Sequence, residues 1–160
     1  MSVLSWGKPT VEYTKSTGGE PGAEATWRTM PEIVEGTAQL ETTEGELVEA
    51  TEEGGAVVDS RRKKNKYKFS LEVFVKKDDT KPIDDSDGVI ADNYAVRMTP
   101  EDPECEGFIF ENSNVSVVET WNAADGKRWK YTFDAIKPKT GDLNKPYTNG
   151  TVGDKASATE

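Results

Sequence analysis

The chain has no histidine, and Cys105 is its only cysteine among 160 residues. Lacking histidine, it has no access to the commonest general base, to the usual partner of a Ser or Cys nucleophile, or to most transition-metal ligand sets. A lone cysteine excludes an intramolecular disulfide and a multi-cysteine zinc site. No apolar run approaches the roughly 20 residues that a membrane-spanning helix needs. The opening MSVLSWGKPT has neither a charged n-region nor an apolar h-region, so it does not read as a secretory signal. No Gly-rich phosphate loop is present, and the glycines fall in turns. Paired carboxylates could in principle catalyse, but with 30 acidic residues no pair stands out. The expectation is a protein that is not an enzyme, with no catalytic residues, no cofactor and no metal, made in a reducing cytoplasm or carried in a particle built there.

What is present is mostly charge. Thirty acids against twenty bases give a formal net charge of −10, with a pI near 4.6 and a mean hydropathy of −0.73. Such a field repels nucleic acid and anionic membranes. Four Trp, five Tyr and five Phe argue against wholesale disorder.

The patterning is β almost throughout. Val3 to Trp6 and Thr10 to Thr14 read as strands, STGGEPG from Ser16 to Gly22 as a flexible turn, and Thr26 to Arg28 as a brief strand. TAQLETTEGELVEATEE, from Thr37 to Glu53, alternates with a break at Gly45. It reads as a hairpin with long arms, although its Glu and Ala content also permits a helix. Gly54-Gly55 is the clearest punctuation, followed by Ala56 to Val58. In KYKFSLEVFV, Tyr67, Phe69, Leu71, Val73 and Val75 share one face, which marks a half-buried strand. Asp78 to Gly88 is a polar loop. Strands follow at Tyr94 to Met98, Phe108 to Phe110, Val115 to Trp121 and Trp129 to Ile136, the last two joined by a hairpin loop with Gly126. One short helix is placed near Pro82 to Asn93. The fold class is mainly β: an antiparallel β-sandwich or barrel with one short helix and a long charged hairpin arm. A single domain spans residues 1–137, with the arm at about 37–66. Residues 138–160 form a polar C-terminal arm or disordered tail that cannot bury enough surface to fold alone.

Several features have bland explanations. DDSDG at Asp84 to Gly88 fails as an EF-hand, because the alignment puts Ile83 and Tyr94 at the anchoring positions. A looser calcium site from Asp84, Asp85, Asp87 and Asp92 is set against a solvated turn, which is favoured. Cys105 has no basic neighbour in sequence to activate it. Trp6, Trp27, Trp121 and Trp129 each sit in strand-like runs, where core or subunit packing competes with a stacking platform.

Two charge blocks flank the double glycine. Glu41, Glu44, Glu46, Glu49, Glu52 and Glu53 occupy one side without a base. Arg61, Arg62, Lys63, Lys64, Lys66 and Lys68 occupy the other without an acid. They could pair weakly across one hairpin, at about 0–1 kcal/mol each. The basic block could bind phosphate, which the neighbouring acids oppose. Or the blocks of neighbouring copies could meet. Complementary blocks steer association and fix register, and a contact with both halves on every copy is heterologous, closing into rings or running on as filaments. The last reading makes these twelve residues candidate subunit contacts.

The stretch ETTEGELVEATEEGGAVVDSRRKKNKYKFSLEVFV, then DDSDGVIADNYAVRMTPEDPECEGF and WNAADGKRWKYTFDAIKP, resembles small prophage-type phage major tail, or tail-tube, proteins over most of residues 1–138. The resemblance implies a β subunit, usually with one flanking helix, that forms hexameric rings. These stack into a tube through which DNA passes without specific binding; secretion tube proteins of the type VI kind are similar in architecture. It also implies self-association, contact with other tail proteins, no membrane partner, and a place in the virion tail after assembly in the bacterial cytoplasm. An acidic bore would not adhere to its cargo. The alternative is a non-enzymatic β-sandwich module for head decoration, head–tail joining or ligand binding, forming only small closed oligomers.

Overall fold

The computed structural model describes Leu4, residues 6–22 and 26–148, and the backbone of Thr151–Val152. Its strands are β1 (Thr10–Thr17), β2 (Glu20–Pro21), β3 (Arg28–Thr29), β4 (Gln39–Thr43), β5 (Leu47–Thr51), β6 (Val57–Arg62), β7 (Lys66–Phe74), β8 (Tyr94–Thr99), β9 (Gly107–Asn122), β10 (Gly126–Ala135), β11 (Lys145–Thr148) and β12 (Thr151–Val152). All pairings are antiparallel, and the main sheet runs β2-β1-β8-β9-β10-β7-β4. It curls into a half-barrel around the side chains that alternation places inside.

The inward face of β7 is the one its alternation marks: Phe69, Leu71 and Val73 are buried, with Tyr67 and Val75 packed against them. On β10, Trp129, Tyr131 and Phe133 meet them residue for residue, Trp129 opposite Val73 and Phe133 opposite Phe69. Phe69 and Phe108 close the centre edge to face, with ring centroids 5.0 Å apart.

The runs Phe108–Phe110 and Val115–Trp121 belong to a single strand of 16 residues, β9. Tyr94 pairs with Ser113 but Val96 with Phe110, so Glu111 and Asn112 together oppose Ala95 in a β-bulge. The bulge shifts the inward phase from Phe108 and Phe110 to Val115 and Val117, and the sequence therefore reads as two strands.

A strap laces the open side of the half-barrel. Met30 N–H donates to the Val11 carbonyl at 2.8 Å, Val34 N–H to that of Glu72 at 2.8 Å, and Phe74 N–H to that of Glu32 at 3.1 Å. Residues 28–37 thus join the β1 edge to the β7 edge.

Three expectations need correction. No helix occurs among the described residues; 82–93 is an irregular loop. Ile83, 2% exposed, is held in the core because its N–H donates to the Tyr131 hydroxyl at 3.3 Å while that hydroxyl donates to its carbonyl at 2.8 Å. Asp87 and Gly88 adopt positive φ angles of 52° and 86°, which no right-handed helix accepts. Second, Thr37–Glu53 is not itself a hairpin. Its strands β4 and β5 pair with β7 and β6, and the chain reverses at Gly54-Gly55, where φ is 101° and 98°. Third, part of the tail joins the sheet. β11 pairs with the start of β9, Tyr147 opposite Gly107, and Tyr147 is 2% exposed. The segment need not fold alone, because β9 supplies a ready edge. Of the first expected strand, Val3 to Trp6, Val3 and Ser5 lie outside the described residues, and Leu4 and Trp6 are not in a strand.

Candidate functional site

The feature that stands apart from the half-barrel is the outer part of the long hairpin. β4 continues the main sheet along β7, Gln39 opposite Ser70 and Thr43 opposite Lys66. Beyond Thr43 the ribbon changes: β5 and β6 form a separate two-stranded sheet and pair only with each other. Every residue from 49 to 64 is exposed. Thr51 pairs with Val57 where Ala50 pairs with Asp59, so Val58 is an extra residue near the tip.

The junction has its own chemistry. Gly45 is buried; its N–H donates to Asn65 Oδ1 at 2.9 Å, and its carbonyl accepts from Arg62 Nη1 at 3.1 Å. Lys63 N–H donates to the Glu46 carbonyl at 2.9 Å. These contacts fix the direction in which the arm leaves the body.

All twelve candidate contact residues lie on this ribbon, and all are exposed. Glu41 on β4 stands opposite Lys68 on β7. Glu44 accepts an ion pair from Arg62 at 3.1 Å, and Glu46 one from Lys63 at 3.1 Å. The two blocks are therefore partly matched within one hairpin, by surface pairs worth about 0–1 kcal/mol each. Glu49 lies on β5, Glu52 and Glu53 at the tip, Arg61 on β6, Lys64 in the junction and Lys66 at the start of β7. The acids are spread from β4 through β5 to the tip, and the bases gather from Arg61 at the end of β6 through the junction to β7, with Asp59 an acid within β6. Neither β5 nor β6 has a partner on its outer edge among the described residues.

Sequence reasoning missed the apolar component of the arm. Leu47, Val57 and Val58 are 43%, 51% and 68% exposed, and the signal was available in ELVEA and GGAVVD. A two-stranded hairpin is at best marginally stable alone in water, and exposed apolar side chains on it add to the cost of leaving it uncovered.

Other candidates resolve into structural roles. Only Trp129 is a core tryptophan, and its indole N–H donates to Glu119 Oε1 at 3.0 Å. That hydrogen bond, more than the nearby Lys127, holds the Glu119 carboxyl below its ordinary value. Trp27 lies under Arg97, whose guanidinium carbon is 4.0 Å from the ring centroid. Trp6 and Trp121 are about 70% exposed, at 69% and 70%. Asp85 is taken up by Lys81 at 2.6 Å and by the Gly88 N–H, and Asp92 by Lys15 at 3.0 Å. Among the described residues no cluster of three or more metal-ligating side chains forms. Cys105 is half-buried, its thiol facing the Leu4 carbonyl at 3.9 Å.

A cavity of about 900 Å³ opens on the side of the half-barrel between β1 and β4, beneath the strap. Val11, Met30, Leu40, Phe69, Met98 and Phe108 are among its lining residues. Its charged lining residues are Lys8, Glu32 and Glu35.

No protein-family model matches the chain, and no curated protein is significantly similar to it. The class that the fold defines is an antiparallel half-barrel with a protruding hairpin that carries both charge blocks.

Proposed function

We propose that the chain is a non-enzymatic virion structural protein, a tail-tube subunit that self-assembles into stacked hexameric rings around a DNA-conducting bore. The observation that carries this reading is the arm: a ribbon paired only with itself, with Glu44, Glu46, Glu49, Glu52 and Glu53 on its way out, Arg61, Arg62, Lys63 and Lys64 at the end of its way back, and apolar side chains left in water. Natural proteins rarely leave such an edge without a cover. A neighbouring copy offers the complementary charge on the same ribbon, and opposite blocks on every copy favour head-to-tail contact.

The open half-barrel supports the same reading. Beyond Ser116, β9 has no strand on the edge away from β10, and β4 has none on the edge away from β7, among the described residues. Edges of this kind are where a sheet continues from one subunit to the next. The acidic balance suits a bore that must release its polyanionic cargo.

Electron microscopy of the concentrated full-length protein, over a range of salt, tests the proposal. Rings or tubes are expected. Monodisperse monomer in every condition overturns it, and a dimer or trimer that never elongates points instead to a joining or binding module.

A further inference from the structure

We infer that Trp121 of one copy docks in the cavity between β1 and β4 of a second copy, forming a contact separate from the charged arm. The inference rests on the self-assembly reading above but uses different residues.

Trp121 is the most exposed large apolar side chain of the β9–β10 hairpin, at 70%. Counting by twos along β9, Trp121 shares the inward side with Val115, Val117 and Glu119. It therefore overhangs the end of the half-barrel on the core side. Indole groups in such positions are the commonest anchors of protein contacts, because one rigid ring buries a large area.

The receiving surface is at the other end of the same strand. Phe108 lines the cavity and Trp121, the last residue but one of β9, lies thirteen positions later, which is on the order of 40 Å of extended chain. No molecule can place its own Trp121 in its own cavity; a second copy can. With knob and socket on separate parts of the surface, each contact leaves one knob and one socket of the pair free. That geometry is heterologous and repeats.

Charge agrees with this orientation. The cavity is lined by the acids Glu32 and Glu35 and the base Lys8, and an adjoining hollow is formed by Trp6, Gly7, Glu101 and Asp102. On the hairpin, Lys127 lies directly across from Trp121 and is shared with Glu119 at 3.5 Å, and Lys130 is exposed on the opposite face. A single hairpin tip buries far less than the roughly 1,200 Å² of a stable pairwise interface. The contact therefore gains its strength by repetition around a ring.

Cysteine cross-linking of the full-length protein tests the inference. In a Cys105→Ser background, Trp121→Cys is combined with Leu40→Cys in the cavity wall, and the protein is oxidised at concentrations where microscopy is done. A ladder of covalent multimers is expected, with little beyond monomer from either single-cysteine variant. Tubes without a ladder overturn the Trp121 contact and leave the tube reading standing. A ladder without tubes or rings supports the contact and overturns the tube. Neither tubes nor ladder overturns both. Strong dimers from Trp121→Cys alone indicate tip-to-tip packing and also overturn the inference. Separately, Trp121→Ala should weaken association at least tenfold by sedimentation while leaving the thermal midpoint within a few degrees of wild type, since the side chain packs little in the monomer. Unchanged association counts against the contact.

Discussion

Gly45 and Lys63 pass so closely that a Cβ on Gly45 would lie 1.7 Å from the Lys63 carbonyl oxygen and 2.9 Å from that of Lys64. The atoms in the way are backbone, so a larger residue forces the two strands apart at the root of the arm. Gly45→Ala should leave the half-barrel folded, because its core lies beyond this joint, but should change the arm's direction. The expected outcome is a thermal midpoint lowered by a few degrees, faster limited proteolysis between Glu46 and Lys64, and loss of assembly. Normal tubes from Gly45→Ala mean that the arm's aim is not required.

Charge reversal separates the arm's electrostatics from its geometry. Lys63→Glu with Lys64→Glu removes the Lys63–Glu46 pair at 3.1 Å and turns a basic block into an acidic neighbour of acids. Both sites are exposed, so monomer stability should change by about 0.5 kcal/mol per site or less. Assembly should be lost, and raised salt should weaken wild-type assembly in the same direction. Assembly that ignores both changes removes the charged blocks from the account.

Much of the half-barrel is legible because burial on one face forces a period of two. Tyr67, Phe69, Leu71, Val73 and Val75 alternate strictly, and the strand follows. The same rule misleads at β9, where the bulge at Glu111 and Asn112 changes phase and one strand reads as two. The loop around Ile83 resists reading for another reason. A single apolar residue has no period, and its burial depends on Tyr131, 48 positions away. The charge blocks on the arm are visible in sequence. The joint at Gly45 and the cavity are not, because each arises where distant segments meet.

Tyr147 shows how a polar tail is captured. Its ring centroid lies 5.1 Å from the Arg97 guanidinium carbon, which is also 4.0 Å from the Trp27 ring centroid, and Arg97 Nε meets Glu12 at 2.8 Å. Nearby, Lys145 and Glu111 pair at 2.6 Å with side chains only 17% and 14% exposed. Tyr147→Ala removes a large buried ring and should cost about 3 kcal/mol. Chemical denaturation would read this as a lower midpoint, and proteolysis should then begin within residues 139–148. A loss below about 0.5 kcal/mol would place the tail outside the cooperative unit.

Tyr131→Phe isolates the anchor of the 82–93 loop. The phenol is buried, and burial raises its pKa above the ordinary value of 10.0. Phenylalanine keeps the ring but abandons the Ile83 amide and carbonyl in the core. Leaving buried polar groups unpaired costs about 1–3 kcal/mol. Urea unfolding should show a lower midpoint at an unchanged slope. An unaltered midpoint would mean that the hydroxyl does not hold the loop.

Asp85 gives the loop a dependence on acid. Its side chain is only 5% exposed, and Lys81, then the Gly88 N–H, hold its carboxyl below the ordinary value of 3.8. A carboxyl depressed in the folded state stabilises it fully above the unfolded-state value, and the contribution fades as pH falls through the lower, folded-state value. Asp85→Asn removes that contribution at every pH. Thermal midpoints of wild type and variant should therefore differ most near neutrality and converge in acid, below the ordinary carboxylate range. Every other carboxyl titrates in both proteins, so the difference belongs to Asp85. A gap that stays constant across the whole range would show that the Lys81 pair and the Gly88 hydrogen bond add nothing to the charged form.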